Sequence, residues 1–229
     1  MLSRKIFVFS LFCLFIGSFI YFPNFAYSQI QNGSFESGTN PGSYATLTAP
    51  DSTTISNWNI SSSSIDYIGT FWTAADGSRS LDLSGAVGGA GVIQQTFTTI
   101  PGATYSITFS LAGNPAGLPV IKTVQVSASP CSGCSPQNYT FDTTGSTLGT
   151  MGWVDRTYGF LATGASTTIT FTSLDNTGNG PALDNVRGSY TLPPPPMPTS
   201  TGVNLHVILA LGLLSIISGI LIFKKYKTS

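Results

Sequence analysis

The chain has 229 residues, 8% of them charged, and its nine basic and nine acidic residues give a formal net charge of zero. All nine acidic residues but only four basic ones lie between residues 29 and 191, so that part carries a net charge of −5. An acidic domain without a basic face is a poor nucleic-acid binder, which excludes that class of partner.

Residues 1–28 are predicted to be a secretory signal peptide. Two basic residues precede an apolar run over residues 6–20, and the small residues Ala26 and Ser28 frame a cleavage point before Gln29. Because the apolar run is long for a signal peptide, a retained N-terminal membrane anchor is the alternative. Residues 29–191 then remain as one domain with a sizeable core.

Two short polar motifs bracket this domain: residues 32–36 (Asn-Gly-Ser-Phe-Glu) near its start and residues 180–186 (Gly-Pro-Ala-Leu-Asp-Asn-Val) near its end. A first and a last strand that lie side by side would bring Glu36 and Asp184 together. Two carboxylates beside free backbone carbonyls suit a hard cation such as Ca²⁺. The alternative is that Asn-Gly forms a hairpin turn and that Asp184 belongs to an ordinary loop.

Short β-branched and aromatic runs, separated by turn residues, predict an all-β domain. Residues 103–111 are the clearest strand, because apolar and small polar residues alternate there with a period of two. About nine strands and no helical period are typical of a jelly-roll β-sandwich. The other predicted strands are residues 65–68, 80–83, 92–97, 120–128, 138–141, 153–161, 167–172 and 183–190.

Three aromatic residues, Tyr67, Phe71 and Trp72, precede a polar loop that contains Asp76 and Arg79. An aromatic face beside planar hydrogen-bonding groups is what a pyranose ring and its hydroxyls require. These five residues are the candidate ligand-binding site. The alternative is that the tryptophans of the domain, Trp72 among them, pack inside the sandwich.

Cysteine usage agrees with export. Cys13 leaves with the signal peptide, which leaves Cys131 and Cys134 as a pair inside a Pro/Gly/Ser-rich loop. In an oxidising compartment this spacing favours a local disulfide. A thioredoxin-type redox motif would need a βαβ context, and a zinc site would need two further ligands.

The C-terminal end predicts a tether. Residues 192–202 are rich in proline and favour an extended stalk. Residues 203–223 are predicted to be a transmembrane helix, because their apolar part from residue 205 would span about 28 Å, close to the thickness of a bilayer core. Lysines in the tail, residues 224–229, place that tail in the cytoplasm and the domain at the cell surface.

Catalysis is less well supported than binding. The single histidine, His206, lies in the predicted membrane segment, so the domain has no imidazole for a triad. A carboxylate pair for glycoside hydrolysis is defined in space and not by spacing, so Asp66, Asp76, Asp82 and Asp155 stay as alternatives. The sequence therefore favours a domain that is not an enzyme.

Seven motifs in a fixed order carry a family resemblance across residues 30–190. In that order they resemble the bacterial choice-of-anchor C family, which is similar to a cell-wall domain of land plants and, more distantly, to galactose-binding-like carbohydrate modules. The motifs are residues 32–36, 65–69, 76–85, 94–97, 101–105, 111–115 and 180–186.

The resemblance implies a non-catalytic jelly roll outside the cell. In similar carbohydrate modules, a structural Ca²⁺ is held by residues that map onto Glu36 and Asp184. Asn185 stands here where those modules often have a second Asp, so one negative charge fewer is near the ion. We therefore expect an exported, membrane-anchored domain that binds extracellular polysaccharide or cell-wall glycan. The alternative is a surface protein that acts in adhesion or matrix assembly through protein contacts.

Overall fold

The computed structural model describes residues 26–27, 30–85 and 89–194, in which thirteen strands and no helix occur. Within these residues there is consequently no helix of the length and apolar character needed to cross a membrane. All thirteen strands belong to the compact unit that ends at Pro193. The predicted signal peptide, stalk, transmembrane helix and tail lie outside the described residues, apart from residues 26–27 and 192–194.

The strands form two antiparallel sheets. The larger sheet has the order β2-β4-β5-β13-β7-β11-β9, with β1 paired to β13, and the smaller has the order β10-β8-β12-β6-β3. The strands are β1 (Ala26–Tyr27), β2 (Tyr44–Thr48), β3 (Asn59–Ser62), β4 (Ser64–Ile68), β5 (Ser80–Asp82), β6 (Val92–Thr98), β7 (Thr104–Gly113), β8 (Ile121–Ser129), β9 (Cys131–Ser132), β10 (Gln137–Asp142), β11 (Val154–Ala162), β12 (Ser166–Ser173) and β13 (Pro181–Thr191).

The winding of the longer strands is that of a jelly roll. From β5 onward the chain passes between the sheets, giving β5-β13-β7-β11 in one sheet and β6-β12-β8-β10 in the other. Strands that are neighbours in space therefore come from distant parts of the chain. The predicted all-β sandwich is confirmed. Each of the nine predicted strands matches an observed strand, and the bounds of the two differ by no more than two residues at either end.

The core lies between the two sheets. Ile107 and Phe109 of β7 are fully buried, as the alternation of residues 103–111 predicts. Phe109 meets Phe171 of β12 edge-on at a centroid distance of 5.2 Å, and Phe171 lies 6.3 Å from Trp58. Burying each such ring contributes roughly 1.5–3 kcal/mol, so this aromatic contact between the sheets holds the sandwich together.

Loops cover the centre of the outer face of the larger sheet. Ser80 and Asp184 point away from the core, yet both are fully buried because residues 69–79 lie over them. The backbone N–H of Thr73 donates to the carbonyl of Leu148 at 3.0 Å, which joins this loop to the connection before β11. The loop therefore closes the part of the outer face around Ser80 and Asp184, whereas residues such as Thr157 and Arg187 on the same face stay exposed.

Candidate functional site

Glu36 holds one end of the covering loop. Its Oε1 accepts hydrogen bonds from the backbone N–H groups of Ser78 and Arg79, both at 2.7 Å, and its Oε2 accepts one from the Ser78 hydroxyl at 2.8 Å. Partial burial raises the pKa of Glu36, but these hydrogen bonds outweigh it and lower the pKa below its ordinary value. Glu36 is thus a charged clamp on residues 78–79.

Asp184 holds the same loop from the sheet side. Its Oδ2 accepts from the N–H groups of Ala75 at 2.8 Å and Asp76 at 2.9 Å, and its Oδ1 accepts from that of Asn185 at 2.6 Å. Burial raises the pKa of Asp184 to about 7, against the lowering effect of these N–H groups. The two bracketing motifs therefore bind neighbouring parts of a single loop.

The bracketing motifs also contact each other directly. The N–H of Val186 donates to the carbonyl of Gly33 at 2.8 Å. A Cβ at Gly33 would lie 1.9 Å from the carbonyl oxygen of Val186, so only glycine allows this approach. On β13 the contact falls in a register shift between Asp184 and Arg187. The two motifs therefore contact each other through their backbones, at Gly33 and Val186.

The predicted Ca²⁺ would have to share its two carboxylate ligands with these contacts. Each carboxylate already accepts three hydrogen bonds, so most of its roughly four lone-pair positions are in use. Within residues 26–27, 30–85 and 89–194, no group of three or more His, Cys, Asp or Glu could hold a metal ion. Glu36 and Asp184 are placed to hold a loop.

The predicted ligand-binding residues are divided between the two faces of the larger sheet. Tyr67 of β4 faces the core and donates its hydroxyl to the carbonyl of Phe35. Arg79 donates to the Tyr67 oxygen at 2.8 Å and to the carbonyl of Gly38 at 3.0 Å, with its guanidinium 5.5 Å from the Tyr67 ring centre. These contacts give Tyr67 and Arg79 a structural role in the fold.

The expectation that Trp72 offers a stacking face is corrected. Trp72 is 4% exposed, and its Nε1 donates to the hydroxyl of Ser80 at 2.7 Å, so its side chain is directed from the covering loop toward the sheet. Asp76 is exposed in that loop, where its N–H binds Asp184. Of the predicted set, Phe71 borders an open cavity.

That cavity has a volume of about 110 Å³ and opens at the margin of the larger sheet, where the covering loop ends. The lining contributed by β2 and β4 follows from their register, which pairs Tyr44 with Ile68 on the outer face. We call it the marginal pocket. Its principal lining residues are Tyr44, Asp66, Ile68, Phe71, Asn114 and Asn179.

One wall of the marginal pocket is aromatic. The Tyr44 ring is 46% exposed and meets Phe71 edge-on at a centroid distance of 5.4 Å. Phe71 in turn lies 5.7 Å from the buried Trp72. The Tyr44 ring is therefore braced from behind while part of its surface stays accessible.

The facing wall is polar and held in place. Asp66 accepts a hydrogen bond from the Thr46 hydroxyl at 2.6 Å. Asn114 donates its amide to Asp82 Oδ2 at 2.8 Å and accepts from the N–H of Ala116 at 2.9 Å, which fixes the direction of its side chain. Asp66 is 6% and Asn114 5% exposed, so a bound hydroxyl could reach only the small accessible part of each side chain. Because both side chains are preformed, they can orient that hydroxyl without first being ordered.

Asp82 supports this wall from below. It is fully buried and accepts from the N–H groups of Ser84 at 3.0 Å and Gly180 at 2.9 Å. Burial raises its pKa to about 7, with a further rise from the nearby charge of Asp66. Asp82 has no exposed surface, so it positions Asn114 and the chain at Gly180 and cannot reach a ligand.

Lys122 pins the loops that border the pocket. It extends from β8, is fully buried, and donates its ammonium to the carbonyls of Gly117 at 2.8 Å and Asn179 at 2.6 Å. Burial lowers the pKa of Lys122, while the charges of Asp175 and Asp82 raise it. The ammonium therefore ties Asn179 to the framework.

Sequence reasoning missed Tyr44, Asn114, Asn179 and Lys122. Tyr44 stands in a polar stretch without clear alternation, and Asn114 entered only as part of a family motif. No local pattern connects these positions, which the jelly-roll winding brings together. One feature of the sequence could have indicated Lys122. It occupies an inward-facing position of β8, where the other inward-facing residues are apolar, and a buried charge at such a position needs polar partners.

A second, larger cavity of about 330 Å³ lies elsewhere, bordered by Gln31, Gln95 and Thr96 among others. Gln95 is already used there, because its amide exchanges two hydrogen bonds of 2.8 Å with the backbone of Gln31. The one aromatic residue at its border, Phe97, is only 5% exposed. This cavity offers no aromatic face and suits a sugar less well.

Cys131 and Cys134 form a disulfide at the edge of the larger sheet. Cys131 begins β9, which pairs with the end of β11. The disulfide therefore closes an edge loop.

Residues 28–188 match the model of the family described as "Protein of unknown function (DUF642)". Halomucin from Haloquadratum walsbyi is 35% identical over 164 residues, which are 69% of this chain, and the match spans only 2% of the length of halomucin.

Two solved structures resemble the fold at low sequence identity. The carbohydrate module TmCBM61, solved in complex with β-1,4-galactotriose, is 12% identical with a TM-score of 0.45 and covers 71% of this chain and 98% of its own. The CBM22-1 xylan-binding domain of Paenibacillus barcinonensis Xyn10C is 12% identical with a TM-score of 0.44 and covers 66% and 95%. At these TM-scores the similarity carries no functional argument.

Proposed function

The chain belongs to the family of proteins of unknown function DUF642, and we propose that it is an exported, membrane-anchored surface domain that binds extracellular or cell-wall carbohydrate without turning it over. The observation that carries the proposal is the half-exposed Tyr44 ring, which Phe71 braces beside the fixed polar groups of Asp66 and Asn114. A stacking face and oriented hydrogen-bonding groups are the two elements that sugar recognition needs.

Binding starts from a sugar ring laid against Tyr44. The apolar face of a pyranose matches an aromatic ring, and its hydroxyls would then point toward Asp66 and Asn114. The carboxylate of Asp66 accepts hydrogen bonds from hydroxyls, and the side-chain amide of Asn179 can donate and accept. Because these groups are already held by Thr46 and Asp82, little ordering is needed on binding.

The affinity for a single site is expected to be modest. A cavity of about 110 Å³ covers little of a sugar chain. We expect dissociation constants on the order of millimolar to micromolar, which correspond to about −4 to −8 kcal/mol. Many tethered copies at one surface would raise the avidity of the whole for a repeating polymer.

The finer parts of the proposal rest on the sequence. The predicted signal peptide over residues 1–28 and transmembrane helix over residues 203–223 support export and anchoring at the cell surface. The order of the seven motifs supports membership of the choice-of-anchor C group and a galactose-binding-like jelly roll.

Turnover of the glycan is not expected from the acidic residues considered for it. Asp82 has no exposed surface, and Asp155 is paired with Arg187 at 2.9 Å. Asp76 lies in the covering loop, away from the lining of the marginal pocket that includes Asp66. A hydrolytic pair needs two carboxyls that both reach the glycosidic bond.

A protein partner is the second candidate, favoured by exposed apolar side chains near the ends of β8 and β12. Leu118 is 72% exposed, and Val120, Ile121 and Leu174 are also exposed. Apolar side chains grouped on a surface are typical of a contact with another protein. A broad glycan screen with no binding, together with binding to a surface protein, would favour this function.

Replacing Tyr44 with alanine should weaken retention on the preferred polysaccharide at least tenfold, which is about 1.4 kcal/mol, because the stacking face is lost. Glycan screening should include xylan and β-1,4-galactan. The fold should persist, since the ring is 46% exposed. Leu161→Ala, which truncates another half-exposed side chain, is the control and should bind as the original protein does. Equal retention of the Tyr44 variant would remove the pocket from the proposal.

A chelator can test whether the Ca²⁺ that the sequence predicts at Glu36 and Asp184 is bound. Since hydrogen bonds already occupy both carboxylates, we expect coincident melting curves with and without the chelator. A folded-state ion would instead stabilise by about 2.7 kcal/mol at a hundredfold excess over its Kd. A fall in Tm on chelation that Glu36→Gln abolishes would establish the ion.

A further inference from the structure

The charges around the marginal pocket are unevenly distributed. Asp66 lines it, and Asp82 is the cross-strand partner of Asp66 between β4 and β5, with both side chains on the outer face. Asp175 and Asp82 both lie close enough to Lys122 for their charges to interact with its ammonium. Two carboxyls, those of Asp82 and Asp175, therefore lie near one ammonium at this corner of the sandwich, and Asp66 adds a third acidic group beside them.

That ammonium cannot meet a bound anion. Lys122 is fully buried, and its Nζ is bound to the carbonyls of Gly117 and Asn179. A buried cation held by backbone acceptors stays in place because leaving would expose those acceptors and cost the hydrogen bonds. The ammonium positions the pocket wall without facing the pocket.

The remaining basic side chains in the described part of the chain are engaged away from the pocket. Arg79 binds the Tyr67 oxygen, Arg156 donates to the carbonyl of Thr140, and Arg187 is paired with Asp155. None of these residues lines the pocket. An acidic sugar bound there would meet the carboxylate of Asp66 with no described cation opposite its own carboxylate.

We infer that the marginal pocket selects uncharged glycans and rejects polyanionic ones, such as chains of uronic acids. This inference rests on the proposed function and names the class of its ligand. Asp66 is an acceptor that hydroxyl groups satisfy, whereas a sugar carboxylate brings a like charge and no donor. The carboxylate of Asp66 would repel an acidic sugar. Specificity that arises from such repulsion needs no additional attraction for the preferred ligand.

The test uses the full chain in mild detergent and two immobilised polymers of the same α-1,4 linkage that differ mainly in charge, polygalacturonate and the neutral galactan made from it by carboxyl reduction. At low salt we expect galactan to bind at least tenfold more tightly than polygalacturonate. Raising the salt concentration should strengthen the binding of polygalacturonate and leave that of galactan unchanged, because salt screens the repulsion between like charges. The salt dependence can be measured on the original protein without any substitution.

Asp66→Asn removes the charge and keeps the shape of the side chain. We expect the ratio between the two polymers to fall toward one in this variant, mainly through tighter binding of polygalacturonate. Asp142→Asn is the matched control, since Asp142 is an exposed carboxylate on β10 in the other sheet. Its ratio should equal that of the original protein.

Three outcomes would overturn the inference. Equal or tighter binding of polygalacturonate by the original protein would refute charge selection while leaving carbohydrate binding intact. A tenfold preference that Asp66→Asn does not reduce, with polygalacturonate binding insensitive to salt, would show that selection has another origin. Binding to neither these polymers nor a broader glycan screen would remove the proposed function, and the inference with it.

Discussion

Gly33→Ala should destabilise the domain by about 3–5 kcal/mol, enough to unfold much of it. The new Cβ would lie 1.9 Å from the carbonyl oxygen of Val186 and 2.9 Å from its carbonyl carbon. Both are backbone atoms, and the N–H of Val186 already binds the Gly33 carbonyl. No side chain can move aside, so relief would require separating the two bracketing motifs.

Gly159→Ala is the matched control for this substitution. Gly159 lies on β11, and a Cβ there would come no closer than 3.7 Å to the carbonyl oxygen of Tyr105. Alanine at an exposed strand position should leave stability unchanged or raise it slightly. Urea unfolding of the two variants compares them, and similar stabilities would show that residues 33 and 186 are not packed as described.

The free energy of unfolding should fall as the pH rises from about 5 to about 7. Burial raises the pKa of Asp82 and Asp184 from 3.8 to about 7. Between these values the folded state keeps protons that the unfolded chain has released, so stability decreases with increasing pH. The two carboxyls together should account for a change on the order of 2–5 kcal/mol.

Stability should also fall at more acidic pH, for the opposite reason. Hydrogen bonds from Ser78 and Arg79 outweigh partial burial and lower the pKa of Glu36 below 4.5. The stabilising contribution of Glu36 is therefore complete above that value and is lost as the pH falls through its folded pKa. The stability maximum is expected near pH 4, because the decline due to Asp82 and Asp184 begins at their unfolded pKa of 3.8.

Thermal unfolding between pH 3 and pH 8 measures this profile. Asp82→Asn should flatten the decline above pH 5, because the residue can no longer gain a charge in its buried position. Asp155→Asn is the control, since Asp155 is exposed beside Arg187 and should leave the profile unchanged. A profile that rises steadily to pH 8 would contradict the protonation assigned to Asp82 and Asp184.

The sequence was sufficient for the long strands because their inner faces are uniformly apolar. Ile107 and Phe109 alternate with small polar residues, and a period of two has few other interpretations. β1, β2, β3 and β9 were not predicted. β2 and β3 are short strands at sheet edges with few buried residues, and β1 and β9 have only two residues each.

The candidate site was harder to predict, because closeness along the chain does not determine which face a residue occupies. Tyr67 precedes the last residue of β4 and points into the core, whereas Trp72 lies on the outer side beneath a loop. Tyr44 begins β2, whereas Asn114 directly follows β7, far away in sequence. Their contact depends on the winding of the jelly roll, which no local pattern contains.

The bracketing motifs were recognised as belonging together, but their chemistry could not be read from residue types. Carboxylates at Glu36 and Asp184 suit a cation or a set of N–H donors equally well. The path of residues 69–79 decides between them, because it brings the N–H groups of Ala75 and Ser78 to the two carboxylates. A loop path of this kind depends on tertiary contacts.

The central claim is that carbohydrate binds in the marginal pocket, and chemical-shift mapping tests it most directly. The isotope-labelled chain in detergent micelles would be titrated with an oligosaccharide of the best polymer from the glycan screen. The account predicts that the largest shifts fall at Tyr44, Asp66, Asn114 and Asn179 and disappear in Tyr44→Ala. Shifts centred instead on Gln95 and Thr96, at the larger cavity, would contradict it.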